Sequence, residues 1–183
     1  MNTSYQIYSQ DAFLTVGISS LLDSILSMNI LFESKKFHIL LVSNIFLLNL
    51  TQLCKKLDAN ERYFIIGCMA AWRLLNGSGA LILKGFIDIS KSVIEIKHDL
   101  HFMLKGIKTP NSTSIKAEKT ALSPCERLVL KYISSGMTAA SIARRLGLSV
   151  KTISSQKRNV MKKLCVSNNQ QLLIKAQIAN YLY

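Results

Sequence analysis

Ser149-Val-Lys-Thr-Ile-Ser-Ser-Gln-Lys-Arg-Asn-Val-Met-Lys-Lys-Leu164 is the stretch on which the reading of this chain turns. At helical spacing, Ile153, Val160, Met161 and Leu164 gather on one side. Lys151, Ser154, Ser155, Arg158 and Lys162 gather on the other, with Lys157 beside them. A helix with an apolar back and short polar side chains plus cations on its front suits the DNA major groove, which is wide enough for one helix. Serines at 154 and 155 let the backbone approach closely, and a guanidinium at 158 can bond two acceptors on one guanine.

Upstream, the local signals agree with this helix. Ser149 is placed to cap it, and Gly147 ends the helix before. That preceding helix starts at Thr138 and turns Ala139, Ile142, Ala143 and Leu146 inward, where small alanines allow close helix approach. Gly136 suits the end of a further helix, because helix ends often need a left-handed residue. That first helix opens with Ser123-Pro124-Cys125-Glu126, a reciprocal cap with Pro at the first helical position. Leu128, Val129, Tyr132 and Ile133 are expected to form its apolar stripe.

Leu122-Ser-Pro-x-Glu126, Gly136, Ile142-Ala143, Leu146, Ser149, Thr152-Ile153 and Lys163-Leu164 together resemble the LuxR/NarL-type helix-turn-helix. The resemblance covers roughly the last third of the chain. Within it, Lys151–Lys157 is similar to the reading helix of the enterobacterial capsule regulators. The resemblance implies that Ser154, Ser155 and Arg158 face base edges; Lys151, Thr152, Lys157 and Lys162, on or beside the reading face, are expected to position the helix on phosphates. It also implies a fourth helix, Asn169 to Tyr181, able to mediate dimerisation.

Charge follows the same division. The chain has 183 residues and a formal charge of +13. Residues 1–104 hold nine Lys and Arg against eight Asp and Glu, and residues 105–183 hold fourteen against two. A near-neutral half joined to a strongly basic one suggests a sensing or interaction domain followed by a polyanion-binding domain. A hydrophobic content of 49% excludes a disordered chain. Cys54, Cys68, Cys125 and Cys165 have no metal-ligand spacing and read as small hydrophobes in a reducing cytosol. His98 and His101, one helical turn apart, lack further ligands nearby, so no metal is expected. The most apolar stretch, Phe37–Leu50, is shorter than a membrane span, and the N-terminus lacks the pattern of a signal peptide. A cytoplasmic protein without a membrane segment is the expectation.

Residues 1–104 alternate strand and helix signals. Strands are expected at Tyr5–Tyr8, Ile30–Glu33, Phe37–Val42, Tyr63–Ile66 and Ala80–Leu83. A helix capped by Asp11 carries Phe13, Leu14, Ile18, Leu21, Leu22 and Ile25. Others cover Phe46–Leu57, Ala70–Leu75 and, capped by Asp88, the stretch with Ile89, Val93, Ile96 and Leu100 inward. This predicts an α/β domain with a parallel sheet. Gly106–Thr120, polar and aperiodic with Pro110, reads as a linker. The expected division is an α/β domain over 1–104, a linker over 105–121, and a four-helix domain over 122–183.

The first domain resembles a response-regulator receiver, through Gly17 and Leu81-Ile-Leu-Lys84. The resemblance implies a parallel sheet, full or abbreviated, and the short span between the first helix and the third strand leaves open whether the second helix is present or vestigial. Its phosphotransfer chemistry is not matched. A receiver needs an acceptor aspartate where this chain has Ser43-Asn44, and two acidic residues for Mg²⁺ where it has only Asp11. Lys84 is either the one active-constellation residue kept or a solvated strand-end lysine. No catalytic set, phosphoacceptor, cofactor or metal site is expected, so the chain is not read as an enzyme. The expected partner is double-stranded DNA, with a homodimer or a mixed dimer formed with a related regulator. The competing function is a co-regulator that acts by pairing with a DNA-binding relative.

Overall fold

The computed structural model describes residues 4–28, 36–43, 49–107 and 121–179. Two compact units emerge: residues 1–72 with 81–115, and residues 73–80 with 116–183. Sequence reasoning left residues 73–80 inside the first domain, whereas they cluster with the second.

The first unit is a parallel four-stranded sheet in the order β1 (Ser4–Tyr8), β2 (Lys36–Val42), β3 (Arg62–Gly67), β4 (Ile82–Asp88). Parallel strands require crossovers, and helices occupy them. These are α1 (Ala12–Ser27), α2 (Leu50–Lys55), α3 (Met69–Leu75), whose last three residues cluster with the second unit, and, after β4, α4 (Val93–Leu104). β2 is buried from Phe37 to Val42, as a strand covered on both faces must be. On one face Phe37, Ile39, Leu41, Ile66 and Ile87 pack with Ile18, Leu22 and Ile25 of α1 and with Ile96, Leu100 and Met103 of α4. On the other, Leu40, Ile65 and Phe86 stand in one register row, and Trp72 stacks on Phe86 at 5.3 Å. At Gly67 any Cβ would collide with the Val42 carbonyl oxygen, so glycine is required where β3 leaves the sheet.

Several expectations are corrected. Phe13 is 93% exposed instead of inward, and Val93 of α4 is exposed too. α4 is capped by Ser92 with Glu95 in a reciprocal box, not by Asp88, which belongs to β4. The fifth expected strand, Ala80–Leu83 ending at Lys84, corresponds to β4. β4 instead runs on to Asp88, and its register jumps from Tyr63↔Leu83 to Phe64↔Gly85, leaving Lys84 as the extra residue of a bulge. Lys84 is therefore remote from the C-terminal strand edge, where ligands of parallel sheets bind. The expected strand Ile30–Glu33 and most of the linker lie outside the described residues, as does Asn44.

The second unit carries four helices: α5 (Pro124–Ser134), α6 (Ala139–Leu146), α7 (Val150–Lys163) and α8 (Asn169–Ile178). Val129, Ile142, Ala143 and Ile153 form its core, with Cys125, Tyr132, Ile133 and Leu146 packed around them. On α5 the buried positions are Glu126, Val129 and Leu130, whereas Leu128 is exposed. The inward stripe thus keeps Val129, Tyr132 and Ile133 of the expected one and is shifted toward Glu126 and Leu130.

Candidate nucleic-acid interface

The site is built from local capping outward. Thr138 accepts the Ser141 amide at 3.2 Å and starts α6. Gly147 stops it at φ 65°, a conformation that glycine adopts without a Cβ penalty. Only Leu148 separates Gly147 from Ser149, whose hydroxyl accepts the Thr152 amide at 3.0 Å and starts α7. This is a helix-turn-helix with a two-residue exit from the glycine.

Tertiary contacts then set the rotation of α7. Ile153 and Val160 are 1% exposed and Leu164 is 6% exposed, so that edge faces the core. Lys163 reaches the buried Glu126 carboxylate at 2.7 Å. The opposite edge is left to solvent: Lys151, Ser155, Arg158 and Lys162, spaced i, i+4, i+7, i+11, are all exposed. None of the four side chains has a hydrogen bond or ion pair among the described residues. Ser154 is half-buried on the flank of the same stripe.

The remaining predicted residues sit apart from that stripe. Thr152 lies on the far flank, and its hydroxyl is 2.9 Å from that of Ser149, so the cap already engages it. Lys157 is half-buried and, with Ser154 and Arg158, lines a hollow bounded by α5, α6, α7 and the start of α8. Met161, expected in the core, lines the same hollow. The unit adds cations that sequence reasoning did not single out: Arg144 and Arg145 are exposed in the last turn of α6, with Arg145 5.2 Å over the Tyr132 ring.

On α8, the apolar residues expected to offer a pairing surface are mostly used within the chain. Leu172 and Ala176 are 0% exposed, and Leu173 and Ala179 are half-buried. Tyr181 lies outside the described residues. Lys175 was missed altogether. It is 3% exposed, and its ammonium donates to the carbonyl oxygens of Arg73 and Asn76, both at 2.6 Å, which belong with it to the second unit. Burial pushes its ammonium down to about 8, against a smaller opposing influence of Cys165. A lysine in a helix otherwise read as apolar is the only sequence signal for it.

No helix among the described residues is long and apolar enough to cross a membrane. Among the same residues, no group of three or more His, Cys, Asp or Glu side chains is arranged to hold a metal ion. His98 and His101 both pack on the Phe102 ring.

Comparison with known proteins agrees with this geometry. Residues 120–176 match the family described as bacterial regulatory proteins, luxR family. The transcriptional activator protein BglJ of Escherichia coli K12 is 34% identical over 135 residues, which is 70% of this chain and 59% of BglJ. The transcriptional regulatory protein RcsB of the same organism is 36% identical over 102 residues, 51% of this chain and 47% of RcsB. The chain thus aligns with only about half to three-fifths of the length of these relatives. A solved complex of the two-component response regulator RcsB with DNA superposes over 100% of this chain and 98% of that one, with a TM-score of 0.66 at 24% identity. RcsB from Salmonella enterica serovar Typhimurium, bound to the promoter P1flhDC, gives the same TM-score at 23% identity. These likenesses establish the shared fold: a receiver-like α/β unit followed by a helical one. Residues 120–176 are a domain of the luxR family of bacterial regulatory proteins.

Proposed function

We propose that this chain is a sequence-specific DNA-binding regulator of transcription that acts by binding alone, in the cytoplasm, without phosphorylation. The observation that carries the reading is the stripe Lys151, Ser155, Arg158 and Lys162, exposed and unpaired along the second helix of the helix-turn-helix, with Ser154 on its flank. Ser154, Ser155 and Arg158 read base edges, while Lys151, Lys157 and Lys162 meet phosphates. Thr152 positions the helix through its bond to Ser149. The two curated relatives are named as a transcriptional activator and a transcriptional regulatory protein, and RcsB has been solved on DNA.

Independence from phosphorylation is supported by the sheet edge. β2 ends at Val42 with Ser43 following, and Lys84 lies in a bulge away from that edge. Incubation with a small phosphodonor should leave the intact mass and the DNA affinity unchanged. An acid-labile gain of one phosphoryl group would overturn this part.

One helix-turn-helix reads few base pairs, and a two-fold dimer doubles the site. A homodimer or a mixed dimer with a related regulator is therefore part of the reading. With Leu172 and Ala176 buried, the first unit is the better pairing surface: Phe13 and Val16 stand 93% and 70% exposed on one side of α1. The same pair favours the second reading, a co-regulator that works by pairing with a DNA-binding relative. A gel-shift titration of the full chain alone, against genomic fragments and random DNA, tests the first reading. Selective retention of particular fragments supports it. Binding that appears only after a related regulator is added supports the second.

A further inference from the structure

The hollow in the second unit has a composition that DNA reading alone does not call for. A DNA backbone needs cations and hydrogen-bond donors, and Lys157 and Arg158 at the rim supply them. Beside them, however, the half-buried Ile133, Met137 and Met161 present apolar side chains, with Thr138, Ser167, Asn168 and Asn169 completing the lining, and the space measures about 650 Å³. That volume is within the roughly 300–1,000 Å³ common for small-ligand sites, which pair apolar walls with a few polar groups. Lys157 and Arg158 have no carboxylate partner among the described residues, so the hollow has an apolar floor and an uncompensated positive rim.

We propose that this hollow binds a small apolar carboxylate, its chain or ring against Ile133, Met137 and Met161 and its anionic end at Lys157 and Arg158. Charge complementarity selects the anion, and the floor selects the apolar body. Ser154 and Arg158 belong both to the hollow and to the proposed base-reading set, so an occupied hollow excludes DNA. The exclusion, though not the binding, rests on the DNA-binding reading. The domain would then be released from DNA by an amphipathic metabolite acting directly on the reading helix.

Octanoate is a suitable probe, with octan-1-ol as its uncharged match. Titration of the full chain, followed by the methyl resonances of Met137 and Met161, should show saturable one-to-one binding of octanoate. Octan-1-ol should bind about tenfold more weakly, since it lacks the charge-assisted contacts. Lys157→Gln should weaken octanoate about fivefold to tenfold while leaving octan-1-ol unchanged. Met137→Glu, with its fold checked by dispersion of the remaining resonances, should abolish octanoate binding. At ten times its own Kd, octanoate should raise the apparent Kd for specific DNA about elevenfold, as strict competition requires. Absent saturation, equal affinity for octanoate and octan-1-ol, or an unchanged Kd for DNA would each overturn the proposal. Failure of the chain to bind DNA without octanoate would instead overturn the DNA-binding reading, and the octanoate titration would still decide whether the site exists.

Discussion

Lys163 Nζ stands 2.7 Å from Glu126 Oε2, tying the last turn of α7 to the first turn of α5. The same carboxylate oxygen accepts the Ser123 amide at 2.7 Å, so one buried oxygen closes a helix cap and anchors the reading helix. Burial works to raise the Glu126 carboxyl. The Lys163 ammonium and the Ser123 amide and hydroxyl outweigh it and hold the group below the ordinary carboxylate value.

Glu126→Gln is therefore expected to destabilise the protein by about 1–3 kcal/mol near neutral pH, because a buried, charge-assisted bond is lost. The folded pKa is depressed, so the stability from this group is present above the unfolded value and lost as pH falls through the folded one. Urea denaturation at pH 7 and at pH 3.5 checks both points. The advantage of the wild type over Glu126→Gln should shrink at the lower pH, and an advantage equal at both pH values would refute the assignment.

Arg158 projects from the open stripe of α7 without an internal partner. Arg158→Ala should weaken binding to a specific site by about 1–3 kcal/mol and binding to random DNA much less. Fluorescence anisotropy on both duplexes at one salt concentration measures the difference. Equal losses would reduce Arg158 to a phosphate contact.

Lys151 and Lys162 are exposed at the two ends of the same stripe, and Lys157 lies lower on its flank. Neutralising Lys151 or Lys162 should weaken binding on all sequences and flatten the plot of log K against log salt by about one unit of slope. Lys157→Gln should flatten it by about the same amount if its ammonium reaches a phosphate. Unchanged slopes in all three variants would remove the electrostatic part of the reading.

Lys175 sets a pH dependence of the same sense as Glu126, in an alkaline window. Its folded pKa, about 8, lies below the ordinary lysine value of 10.5. Above pH 8 the unfolded chain holds this proton more firmly than the folded one, so stability from Lys175 rises between the two values. Between pH 7 and pH 9.5 the wild type should gain about 2 kcal/mol relative to Lys175→Met. Parallel denaturation of both proteins cancels the tyrosines and cysteines that titrate in the same range. A constant difference across that range would mean that Lys175 is not desolvated.

The helix-turn-helix was legible in the sequence because its determinants act over a few residues. Ser123 with Glu126, Thr138 with Ser141, Gly147, and Ser149 with Thr152 each settle a cap or a turn within one helical turn of chain. The nearly continuous apolar run that marks β2 as a central strand is local in the same way. Tertiary structure decided what depends on residues far apart. Which side of α5 turns inward follows from α7 and α8 packing against it, and so Leu130 is buried and Leu128 is not. The partners of Lys163 and Lys175 lie 37 and about 100 residues away, beyond the reach of any spacing rule. The bulge at Lys84 follows from its register with β3, which no single strand encodes. Caps and turns are fixed by short-range hydrogen bonds and backbone sterics. Helix rotation, strand register and the hollow beside Arg158 exist only once separate elements compete for the same buried space.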